Sequence, residues 1–159
     1  MIYKYKIKNL YDILFENNKE IIGIIPEIVY YNQGIWNDNK RYDRVNIDIV
    51  DIPYNLRIII NLFRDCNGLI NLLIKNKKSY DNNKIIIKSK IKLNGFLGEI
   101  LNNNIKIKSK IVFEDNIINF DYDIITPIDL DNNFKTHIKN KIDNYYIKKI
   151  DNFLKEWKN

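Results

Sequence analysis

Apolar and polar residues alternate from the start of the chain. Tyr3, Tyr5 and Ile7 interleave with Lys4, Lys6 and Lys8, the two-residue period of a strand with one wet face. The period then changes. Between residues 9 and 25, Leu10, Ile13, Leu14, Ile21 and Ile24/Ile25 fit one or two short helices, interrupted near Asn17-Asn18 and stopped by Pro26. Beyond Pro26 the pattern is strand-like as far as about residue 125, with candidate strands at 27–33, 42–51, 56–64, 69–75, 84–93, 105–113 and 117–125.

The punctuation sets the topology. Asn67-Gly68 lies between two apolar runs and predicts a tight hairpin, because both residues tolerate positive φ. Asp81-Asn82-Asn83, Asn102-Asn103-Asn104 and Asp115-Asn116 are further turn candidates. Connections this short join antiparallel neighbours and so predict a meander. The segment Asn94-Gly95-Phe96-Leu97-Gly98-Glu99 breaks the alternation as a bulge, a bend or an apolar loop.

The last element has a three- to four-residue period. Phe134, Ile138, Ile142, Tyr146, Ile150, Phe153/Leu154 and Trp157 share one face, with Lys135, Lys139, Lys148, Lys149 and Lys155 mostly elsewhere on the wheel. This predicts an amphipathic helix of about 35 Å, capped by Asp131 or a neighbouring Asn. Ile138, Ile142, Ile150 and Phe153 are expected to be buried against the sheet. The predicted fold is α+β, one domain over 1–159. It has an antiparallel meander of six to eight strands, a short N-terminal helical segment and a long C-terminal helix packed on the sheet.

Composition changes how the surface is read. The 159 residues include no alanine, only 5 Gly and 3 Pro, and are rich in Ile, Asn and Lys. The codons favoured here are AT-rich and those avoided are GC-rich, so an AT-rich genome is the simplest cause. That bias alone yields much of the net charge of +6 and the 13% aromatic content, which would otherwise point to nucleic acid. Cys66 is the single cysteine, which excludes an internal disulfide and a thiolate metal cluster. The N-terminus lacks a signal-peptide core, and no run approaches the ~18 apolar residues of a membrane span. An intracellular location, cytoplasmic or organellar rather than secreted, is expected.

Candidate chemistry is sparse. Lys88, Lys90 and Lys92, with Lys106, Lys108 and Lys110, alternate with Ser and Ile and so fall on one sheet face. Such a face suits nucleic-acid phosphates or an acidic protein surface. The plainer account is that lysine is the common solvating residue of such a genome and deters edge pairing. His137 is the only histidine, and neither it nor Cys66 has an evident catalytic companion. Asp121 and Asp123 share a face and could hold a hard cation, though such pairs are commonly just a wet strand face. No phosphate loop, zinc spacing or nucleophile elbow occurs, so no metal, cofactor or catalytic residue is assigned.

The order of strand, short helical segment, antiparallel meander and long terminal helix resembles the helix-grip arrangement of the START-like (SRPBCC) superfamily. Gly34-Ile35-Trp36 with Arg41 to Val45 is similar to the turn and third strand of those proteins. The resemblance implies a non-catalytic binding protein, with a cavity for a small apolar ligand between helix and sheet. Phe120, Tyr122, Ile142, Tyr146, Phe153 and Trp157 are then its expected lining.

Overall fold

The alternating segments pair into one antiparallel sheet of seven strands. The computed structural model describes residues 1–94, 105–126 and 132–157. Its strands are β1 (Ile2–Lys4), β2 (Ile28–Asn32), β3 (Lys40–Ile47), β4 (Ile70–Asp81), β5 (Lys84–Asn94), β6 (Ile105–Glu114) and β7 (Ile117–Ile125). In space they run β1-β7-β6-β5-β4-β3-β2. The α+β class, the antiparallel sheet and the long terminal helix match the sequence-based expectation.

Two of the expected turns are tight. Asn82 (φ 54°) sits in the link between β4 and β5, and Asp115 (φ 52°) in that between β6 and β7. Asn and Asp tolerate this left-handed conformation because their short polar side chains bond locally. The break at 95–99, the Asn102-Asn103-Asn104 turn and the Asp131 cap lie outside the described residues.

One expected strand is helical. Residues 56–64 were assigned to β structure on their run of isoleucines; instead Pro53 leads into a 3-10 turn at Tyr54–Leu56, then α1 (Arg57–Asn61). Leu56, Ile60 and Phe63 are buried while Ile58 and Leu62 are exposed, so spacings of four and three residues, not two, carry the burial. Asn67-Gly68 therefore closes a tight reversal, bridged antiparallel by Arg64 and Ile70, that joins a helix to β4 rather than two full strands. Gly68 does take φ +79°, and Asp65 Oδ1 accepts from the N–H groups of Asn67 (2.9 Å) and Leu69 (3.0 Å).

Between β1 and β2 come a π-helical turn at Asp12–Glu16 and α2 (Lys19–Gly23), parted at Asn17-Asn18. The terminal helix is α-helical over Asn132–Lys141, π-helical over Ile142–Ile147 and α-helical again over Lys148–Lys155.

Two separate apolar cores hold this helix on the sheet. One gathers Tyr5, Ile7, Leu10, Ile21, Ile87, Phe113, Ile118 and Leu154; the other gathers Leu56, Ile60, Phe63, Ile70, Leu93, Ile105 and Phe134. Ile87 and Leu93 lie near opposite ends of β5, about 20 Å apart at strand rise. Phe134 and Leu154 lie near opposite ends of the helix, about 30 Å apart. The helix is thus anchored at both ends. Between the anchors Ile138 and Ile142 are only half-buried, as are Ile150 and Phe153, less than the sequence pattern suggested.

Candidate functional site

The space between the two cores is hollow. A cavity of about 430 Å³ lies beneath the Phe134 to Tyr146 part of the terminal helix, over the inner face of β2 to β7. The volume falls in the range of small-molecule pockets. Strand register explains why it stays open. Arg41, Asn76, Ser89, Ser109 and Tyr122 stand opposite one another from β3 to β7, and all five line the cavity. The flanking inward rows are largely isoleucine and leucine. Two serines paired at the centre of an isoleucine face leave room that branched side chains would fill. The π-helical stretch spans this hollow, a distortion that often accompanies functional sites.

Most polar groups in the wall satisfy one another. Arg41 and Asp43 are buried, at 1% and 3% side-chain exposure, and form an ion pair at 3.0 Å. Asp43 Oδ2 also accepts from Asn76 Nδ2 (2.9 Å), and its Oδ1 from the Gly34 N–H (2.9 Å). Asn76 Oδ1 accepts from Ser89 Oγ (2.5 Å). Arg41 donates onward to the Phe15 carbonyl (2.7 Å) and lies 4.8 Å from the Trp36 ring centre. This network ties β3, β4, β5 and the Asp12–Glu16 turn together in a low-dielectric wall.

A second polar group lies at the β2 edge. Glu27 directly precedes β2 and lines the cavity with His137, Lys141 and Tyr146 of the terminal helix. Burial, then the nearby Glu27 charge, pushes the Tyr146 phenol well above its ordinary value. Glu27 Oε2 is buried without a hydrogen-bond partner among the described residues. Burial and the neighbouring Lys141 charge hold His137 below its ordinary 6.5, with Asp51 opposing them. Tyr122 donates to Asp143 and is likewise raised, first by burial and then by that bond.

Of the expected lining residues, Phe120, Tyr122, Ile142 and Tyr146 border the cavity. Phe153 and Trp157 instead pack on the core around Leu154, their ring centres 5.3 Å apart. Arg41, Asp43, Asn76, Ser89, Ser109 and Glu27 were missed as site residues. The signal for the serines was Lys88-Ser89-Lys90 and Lys108-Ser109-Lys110: once lysine is outward, each serine must point inward.

The outer face carries the lysines. Lys75, Lys90 and Lys108 lie opposite one another, as do Lys77, Lys88 and Lys110 in the next outward row and Lys92 and Lys106 beyond. Lys88, Lys90, Lys108 and Lys110 border a groove together with Tyr42, Asp121 and Asp123. Lys92 is held below its ordinary value, first by the like charge of Lys75 and then by burial and Lys106. Among the described residues no ion pair within 4.0 Å joins these eight lysines to an acid.

Cys66 is exposed, and no group of three or more His, Cys, Asp or Glu is placed to hold a metal among the described residues. No described helix is long and apolar enough to cross a membrane. No family model, curated protein or solved structure matches the chain.

Proposed function

We propose that the protein is a non-catalytic binding protein that holds a small apolar ligand between its terminal helix and its sheet. The observation that carries this reading is the 430 Å³ hollow between two well-packed cores. A fold that merely needed a core would gain by closing it, since voids forfeit dispersion contacts. The element order adds support by analogy, since it resembles the helix-grip arrangement of START-like proteins, whose terminal helix closes an apolar cavity.

The test is to fill the hollow. Ser109 lines the cavity and forms no hydrogen bond with another side chain among the described residues, so Ser109→Phe removes none of the polar contacts described. It should abolish uptake of the neutral fluorophore Nile red while keeping or raising the melting temperature. Unchanged Nile red binding in a folded variant would overturn the reading. Native mass spectrometry of freshly purified protein would show any ligand carried from the cell.

A second reading has its own observation. Lysines directly opposite one another repel; Asp123 and Asp121 face only Lys108 and Lys110, at the β7 end of these rows, and a nucleic-acid backbone would relieve the remaining repulsion by releasing its counterions. Changing Lys106, Lys108 and Lys110 to Gln should then weaken single-stranded DNA or RNA binding and flatten its salt dependence. Affinity no tighter than ~10⁻⁴ to 10⁻⁶ M near physiological salt, the level of non-specific contact, would dismiss this reading.

A further inference from the structure

The cavity wall is nearly all apolar or internally satisfied, which makes the exception informative. Asp43 accepts from Arg41, Asn76 and Gly34, Asn76 accepts from Ser89, and Arg41 is shared between Asp43 and Phe15. Within that network nothing is left to orient a ligand; Ser109, in the row beside it, offers the cavity only a neutral hydroxyl. At the β2 edge the case differs: Glu27 Oε2 is buried, and among the described residues no donor reaches it. A buried acceptor left unpaired costs free energy that a ligand donor would recover.

We propose that the cavity ligand carries, at one end of its apolar body, a hydrogen-bond donor without negative charge, a primary alcohol or amine, that docks on Glu27. This inference rests on the apolar-cavity reading. A fatty-acid carboxylate is the wrong chemistry at this end, because it brings only acceptor oxygens to an acceptor that lacks a donor. Lys141 also lines the cavity, but its ammonium is accommodated over the Tyr145 ring at 5.7 Å and its side chain is only half-buried, so water can solvate it.

The experiment displaces Nile red from the intact protein with four probes of equal chain length: 1-decanol, decyl methyl ether, decylamine and decanoate. The readout is the ratio of affinities within each protein. Decanol should bind roughly tenfold tighter than the ether, in keeping with one well-made bond to a charged group, and decylamine tighter than decanoate. Glu27→Leu should erase the alcohol-to-ether ratio. Glu27→Gln, nearly isosteric, should erase the amine-to-carboxylate ratio and serves alone if the Leu variant does not fold. Equal affinities in the wild type, or ratios that survive both substitutions, would overturn the inference while leaving the cavity reading intact, provided Ser109→Phe blocks Nile red. If Nile red does not bind, or Ser109→Phe leaves its binding unchanged, the cavity reading falls and the inference falls with it.

Discussion

Removing the Asp43 carboxylate is the sharpest test of how the cavity wall is built. In Asp43→Ala the Arg41 guanidinium stays at a site with 1% side-chain exposure and loses the acceptor of its Nε (3.2 Å) and Nη2 (3.0 Å). The Asn76 amide and the Gly34 N–H lose theirs too. Breaking a buried pair from one side typically costs about 3–5 kcal/mol, because a charge is left unpaired in a poorly polarisable wall. For a domain of this size each kcal/mol shifts the melting temperature by roughly 2–4 °C, so a drop of about 6–20 °C is expected. Urea denaturation followed by circular dichroism measures the free energy directly. The cycle is completed with Arg41→Met and the double variant. Removing both charges should be less costly than the sum of the singles by about 2–3 kcal/mol, the upper range for contacting residues. A loss below about 1 kcal/mol for Asp43→Ala, or additive single effects, would refute the reasoning.

Two further outcomes follow from local geometry and titration. At Gly68, with φ +79° and nothing within 4 Å of an added Cβ, substitution by Val should cost roughly 1–2 kcal/mol through backbone strain alone; a variant that melts with the wild type would count against that turn. His137 binds its proton less readily in the folded protein than at its ordinary 6.5, so the unfolded state takes up more protons as pH falls below 6.5 and stability declines there. His137→Gln should flatten that limb in urea titrations at stepped pH, and an unchanged slope would remove His137 from the account.

Much of the fold was legible because this sheet is built from strong local signals. Asn82 and Asp115 sit where the chain needs positive φ, and the lysine alternation fixed which face of β5 and β6 is wet. The helix at Arg57–Asn61 was not seen as one, since its isoleucines are β-branched and favour strands on propensity alone. Burial of Leu56, Ile60 and Phe63 overrode that propensity, and their spacing was already in the sequence. The Arg41–Asp43 pair was hidden for the opposite reason. On β3 Arg41 and Asp43 point inward and Tyr42, 55% exposed, points out, inverting the pattern on which a hydrophobic-inside reading depends.

The cavity was harder to read because it is a property of rows, not of segments. Along β5 or β6 alone, a single serine among isoleucines is unremarkable. Only when register sets Ser89 opposite Ser109, with Asn76 and Tyr122 on either side, does a band of small and polar side chains cross the sheet. Collapse onto that band is resisted because the helix above is held at both ends, by Phe134 in one core and Leu154 in the other. Moving the helix inward would compress two packed cores to fill one gap, and packed interiors resist such strain. Helix length, the separation of the two cores and the two serines therefore act together. Filling the centre through Ser109→Phe should cost the fold little, whereas emptying either anchor, as in Leu154→Ala at a site 1% exposed, should cost about 2–5 kcal/mol and let the helix settle into the hollow.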